Sequence, residues 1–149
     1  MKFIREYVEN IEPVIVENKK TGGKDYFLEG IFLQGNKENK NKRNYPVATL
    51  EKAVNEFNTD YVAKKRGFGE LGHPTGPQIN LERVSHMITE IKKEGNNFLG
   101  RAKVMDTPYG NIVKNFIKEG CMLGVSSRGL GSRVTATQRT YACGGFKAR

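Results

Sequence analysis

Hydrophobic positions recur along this chain with two different periods, and the changes of period mark out its elements. Val14, Ile15 and Val16 form the first apolar cluster and predict a short strand over residues 13–17, closed by a turn at Gly22-Gly23. Residues 26–34 (YFLEGIFLQ) are aromatic and β-branched, which predicts a strong strand, with Gly30 marking a bulge or a close approach of another backbone. A polar basic loop over residues 35–45 ends at Pro46. From residue 47 to 66 the period becomes helical, because Leu50, Val54, Phe57 and Tyr61 recur at three- and four-residue steps, and Gly67 and Gly69 stop the helix. Residues 69–77 (GELGHPTGP) hold too much glycine and proline for regular structure through most of their length.

The second half reads as a hairpin, a helix and a strand. Residues 84–92 alternate in part, residues 94–97 (EGNN) form a turn, and residues 98–105 make the return strand. Thr107 can cap a helix whose first turn holds Pro108, whose apolar face is Ile112, Val113, Phe116 and Ile117, and whose end is Gly120. An apolar run from Cys121 then predicts a buried strand, studded with Gly124, Gly129 and Gly131. Apolar residues thin out after Ser132, leaving a weak strand at residues 140–143, and no internal repeat is visible. The sum is an α+β domain. The turn at Gly95 and the polar strand faces favour antiparallel strands over a parallel sheet.

Composition narrows the function classes. At 149 residues the chain suits one domain, and no apolar run approaches the ~20 residues of a membrane span. The N-terminus lacks a signal-peptide hydrophobic region, so a soluble intracellular protein with no membrane role is expected. Cys121 and Cys143 lack CxxC spacing, which argues against a disulfide framework or a zinc site. The net charge of +9 invites a nucleic-acid partner, but the basic residues are spread along the whole chain and do not alternate with aromatics as a stacking platform requires. An acidic protein partner explains the charge equally well.

Candidate chemistry concentrates in residues 120–132, GCMLGVSSRGLGS. A serine hydroxyl on a glycine-rich strand, beside backbone N–H groups and the cation Arg128, can be a nucleophile next to an oxyanion site. The competing reading is a glycine-rich turn with two solvated serines. Ser126 and Ser127 point to opposite faces of a strand, so only one can serve, and Arg128 is either an oxyanion stabiliser or a surface cation. His73, between Gly72 and Pro74, is placed to face a cleft as a general base, against the alternative of an ordinary loop histidine. Glu70, three residues upstream, can orient that imidazole or be a solvated charge, whereas His86 within a strand reads as a hydrogen-bonded structural histidine. No phosphate loop is present, the G-x-S-x-G spacing is off by one place for either serine, and the ligands for a metal are missing.

Taken together, GELGHP at residues 69–74, TPYGNIVKNFIKEG at 107–120 and GVSSRGLGS at 124–132 closely resemble the prohead core protein proteases of tailed bacteriophages. FLEGIFLQ at 27–34, with NKRNYP and LEKAV within residues 41–54, extends the likeness, which runs from about Phe27 to Lys147. The resemblance implies a serine endopeptidase with a closed antiparallel β-barrel of the herpesvirus-protease type, flanked by helices. It implies a place inside the assembling procapsid in the host cytoplasm, where such enzymes cleave acidic scaffold or core proteins, other head proteins and themselves, preferring a glutamate before the scissile bond. His73 matches the family's general base. The nucleophile belongs to the V-S-S-R-G motif and is assigned to Ser126, with Ser127 the alternative because related barrel proteases show a Ser-x-Gly pattern that it fits better. The backbone near Arg128 and Gly129 would hold the oxyanion, with no metal or organic cofactor. Members usually continue beyond this chain with another apolar strand and a removable tail, and residues 138–149 match poorly. The expectation is therefore a single protease domain over residues 1–149, C-terminally truncated relative to the family. The rival readings are a non-catalytic, scaffold-binding head-assembly protein and a basic nucleic-acid-binding protein.

Overall fold

The computed structural model describes residues 2–8, 11–37, 44–72, 79–133 and 139–148, with residues 2–8, 126–133 and 139–148 described through their backbone. In chain order the elements begin with β1 (Lys2–Val8), β2 (Ile11–Glu17) and β3 (Lys24–Gln34), followed by α1 (Val47–Phe57) with a π-helical turn (Asn58–Val62). Next come β4 (Phe68–Glu70), a 3-10 turn (Leu81–Arg83), β5 (Val84–Glu94) and β6 (Asn97–Val104). The chain continues through α2 (Pro108–Lys118), β7 (Val125–Arg133) and β8 (Arg139–Ala148). Two antiparallel sheets result, one in the order β2-β3-β6-β5-β4 and one in the order β1-β7-β8.

The antiparallel α+β reading holds, but the hydrogen-bonded ladders of the described residues do not close into the expected barrel. The physical reason lies in β4, which is three residues long and runs straight into the glycine- and proline-rich segment, so it cannot extend a ladder to another strand. β4 nevertheless lies beside β8, with Cα atoms within 8 Å across the seam between the two sheets.

The core forms where the inner face of the larger sheet meets both helices. Leu28, Phe32, Ile88, Phe98, Ala102 and Val104 project from the sheet and meet Leu50, Val54 and Phe57 of α1, Val113 and Ile117 of α2, and Val125 at the start of β7. Strict alternation along β6 buries Phe98, Gly100, Ala102 and Val104 and leaves their neighbours half-exposed. The α1 helix has no side-chain cap of its own; Asn36, in the left-handed region at φ 52°, accepts from the Val47 N–H at 3.2 Å instead. Gly95 takes the first position of the two-residue β5–β6 turn at φ 61°, where a side chain would be strained.

Several expected features shift. The predicted helix over residues 47–66 is regular only to Phe57, then widens into the π-helical turn, where Tyr61 stacks on Phe57 with ring centroids 5.3 Å apart. The apolar face of α2 is narrower than its sequence implies, since Val113 and Ile117 are buried but Ile112 and Phe116 are exposed. The strand expected from Cys121 begins only at Val125, and Met122 is 89% exposed. The bulge expected at Gly30 falls between Ile31 and Leu33, and the close approach lies across the ladder at Gly100, which pairs with Gly30. A Cβ at Gly100 would overlap the Phe32 ring, which is itself buried and cannot swing away. Gly100→Ala should therefore cost roughly 1–3 kcal/mol through overpacking, seen as a lowered thermal midpoint with an unchanged far-ultraviolet spectrum.

Candidate active site

Glu70 ends β4 and is fully buried, which corrects its reading as a solvated charge. Oε1 accepts from the Asn80 N–H at 2.8 Å, and Oε2 stands 3.9 Å from the Arg83 Nε. Asn80 in turn caps the 3-10 turn by accepting from the Glu82 N–H at 3.0 Å. A buried carboxylate needs both a hydrogen-bond donor and a counter-charge, and these two partners supply them. Their effect is to join the two sides of the GHPTGP segment, because Glu70 precedes it and Asn80 and Arg83 follow it. His73 lies in residues 73–78, outside the described residues.

Ser126, Ser127, Arg128 and Gly129 lie on β7, the middle strand of the smaller sheet. Ser126 is in register with Tyr7 on β1 and Lys147 on β8, and Ser127 with Glu6 and Phe146. The β7–β8 register slips between Arg128 and Gly129, which face Gly145 and Cys143, so Gly144 is the extra residue of a bulge. The predicted weak strand at residues 140–143 is thus part of a ten-residue strand that pairs along the whole of β7.

The topology orders these parts simply. The strand that leads to His73, β4, lies beside β8, and β8 is hydrogen-bonded to the serine strand. One strand, β8, thus lies between the two carriers of the predicted chemistry.

His86 is fully buried in β5, with its Nδ1 2.9 Å from the Ser85 hydroxyl, in keeping with a structural histidine. Among the described residues no group of His, Cys, Asp or Glu could hold a metal ion, and no helix is long and apolar enough to cross a membrane. An open depression of about 480 Å³ on the larger sheet is lined by Glu12, Glu29 and Glu90 as well as Lys92 and Arg101. Its mixed charge, with Arg101 paired to Glu29 at 2.9 Å, does not make a phosphate-binding surface. Sequence reasoning missed Arg83 and Tyr109: the Arg83 guanidinium lies 4.9 Å above the Tyr109 ring, and its Nη1 donates to the Tyr109 hydroxyl at 3.3 Å. No local pattern marks either residue, because their contacts cross 26 positions of chain.

The chain is similar to the prohead core protein protease of Enterobacteria phage T4, at 39% identity over 118 residues that make up 77% of this chain and 55% of that protein. It thus spans about half the length of that curated relative. The solved structure of the bacteriophage T4 capsid assembly protease, gp21, superposes with a TM-score of 0.80 at 30% identity, covering 99% of this chain and 93% of that one. A family model described as prohead core protein serine protease matches residues 6–145, from β1 into β8 and across both the GELGHP and GVSSRG segments, and the chain belongs to that family.

Proposed function

We propose that this chain is a serine endopeptidase that works inside a phage procapsid, cutting scaffold or core and other head proteins during capsid maturation. The observation that carries the reading is the family match over residues 6–145, which takes in the segment bearing His73 and the strand bearing Ser126 together. In this mechanism His73 removes the proton of Ser126 as the oxygen attacks a peptide carbonyl. A tetrahedral oxyanion forms and the amine leaves with the proton returned by His73; water, deprotonated by His73, then attacks the acyl-enzyme, and the acid departs as His73 returns the proton to the Ser126 oxygen. Backbone N–H groups near Arg128 and Gly129 hold the oxyanion, at the place where the β7–β8 register slips. Ser127 is the alternative nucleophile.

The same reading treats the two sheets as the halves of a barrel of the herpesvirus-protease type, with β4 and β8 at the seam, and the chain as a single protease domain. The +9 charge of the chain complements acidic scaffold proteins as substrates.

The test is covalent. The full chain should take up one equivalent of a serine-reactive phosphonate, mapped by peptide mass spectrometry to Ser126, and should cleave a fluorogenic peptide after glutamate with added chelator making no difference. Absence of both labelling and cleavage in folded protein would reject the serine-protease reading in favour of a non-catalytic, scaffold-binding role.

A further inference from the structure

We propose that Arg83 is a positioning residue for the catalytic pair, tying the strand that leads to His73 to the helix that leads to Ser126. The proposal rests on the assignment of His73 and Ser126 above. Four contacts converge on its side chain. Nη2 donates to the Leu71 carbonyl at 2.9 Å, two residues before His73. Nη1 donates to the Tyr109 hydroxyl, and the guanidinium carbon lies over the Tyr109 ring. Nε faces the buried carboxylate of Glu70 at 3.9 Å. The backbone of Arg83 joins in, since its carbonyl accepts from the Leu71 N–H at 3.4 Å.

These partners sit on two pieces of chain that the mechanism must hold in a common frame. Leu71 and Glu70 belong to the approach to His73. Tyr109 lies in the first turn of α2, the helix after which the chain passes through residues 119–124 into the serine strand. A planar guanidinium can donate along two directions and stack on a ring at once, which an ammonium cannot. Its side chain is two-thirds buried, and the buried Glu70 carboxylate stands beside Nε as its counter-charge. A displacement of about 1 Å between base and nucleophile is enough to lower turnover ~10²-fold, so a clamp at this point acts on rate.

The experiment uses the full chain and a fluorogenic peptide cleaved after glutamate. Arg83→Ala should lower kcat by about 10²-fold and leave KM within about threefold, because substrate binding is untouched while alignment is lost. Millimolar methylguanidinium should restore at least a tenth of the lost kcat in Arg83→Ala and have no effect on the unsubstituted protein. Arg83→Lys should keep the fold and still lose about tenfold or more in kcat, since it keeps the charge without the fork.

Unchanged kcat in folded Arg83→Lys, or a loss in Arg83→Ala that follows the unfolded fraction alone and does not respond to methylguanidinium, overturns the proposal. His73→Ala, assayed in parallel, separates the two ideas. An inactive His73→Ala beside a fully active Arg83 variant removes the clamp and leaves the catalytic pair, whereas an active His73→Ala removes the pair and the clamp with it.

Discussion

Ser126→Ala is expected to lower peptide cleavage by roughly 10⁴-fold or more while leaving the thermal midpoint within about 2 °C of the unsubstituted protein. The large kinetic effect follows from losing the covalent intermediate, after which only the oxyanion donors and substrate binding remain to assist water. The small effect on stability follows from the substitution, which deletes one hydroxyl and keeps the backbone that pairs with Tyr7 and Lys147. Ser127→Ala should keep activity within about threefold, because neighbouring positions of a strand alternate between its faces and only one can meet the base. His73→Ala should match Ser126→Ala in loss of rate, and the double variant should be no slower than either single one, since the two residues act as a unit. A reversed pattern, with Ser127→Ala inactive and Ser126→Ala active, would move the nucleophile by one place and keep the reaction class.

The second expected result concerns stability. Gly110→Ala should destabilise the protein by roughly 3 kcal/mol or more, even though alanine is ordinarily preferred to glycine in a helix by about 1 kcal/mol. A Cβ at Gly110 would fall on the Met105 carbonyl oxygen and stand 2.9 Å from both the Met105 carbonyl carbon and the Thr107 hydroxyl. None of these can yield cheaply. The Met105 N–H donates to the Ser85 carbonyl at 2.9 Å, which pins that residue to β5. The Thr107 hydroxyl caps α2 by accepting from the Gly110 N–H at 3.0 Å and itself donates to the Val84 carbonyl. Relief of the overlap would have to move the start of α2, and with it Tyr109 and the contact to Arg83. For a chain of about 150 residues each kcal/mol corresponds to roughly 2–4 °C, so a fall of about 10 °C is expected in a calorimetric scan. A midpoint unchanged or raised in Gly110→Ala would mean that the α2 start has slack that the packing denies.

Much of the architecture is legible in local windows. The helix capped by Thr107 with Pro108 in its first turn, the turn at Gly95 and the strands on either side of it all depend on neighbours within a few positions, and each forms where the pattern puts it. β1 was not legible in this way: Lys2–Val8 mixes charge with apolar residues, and its partner strand lies more than 110 positions away, from Val125 to Gly131. The same limit applies to Met122, whose apolar character predicts burial but which is exposed among the described residues.

The candidate site divides along the same line. Residue order offered the serine pair, His73 and Glu70 as candidates beside ordinary readings as turn, loop and surface residues, and the joint occurrence of the motifs, through the family likeness, decided for the serines and His73. The burial of Glu70 depends on tertiary structure: ten positions on, the Asn80 N–H meets it, and three further on Arg83 faces it and reaches across to Tyr109. Likewise, that β4 lies against β8, and so one strand away from the serines, arises from pairing between distant stretches of chain. Propensity and periodicity act over a turn or a strand at most, while burial of a carboxylate and the adjacency of strands depend on the whole chain having folded.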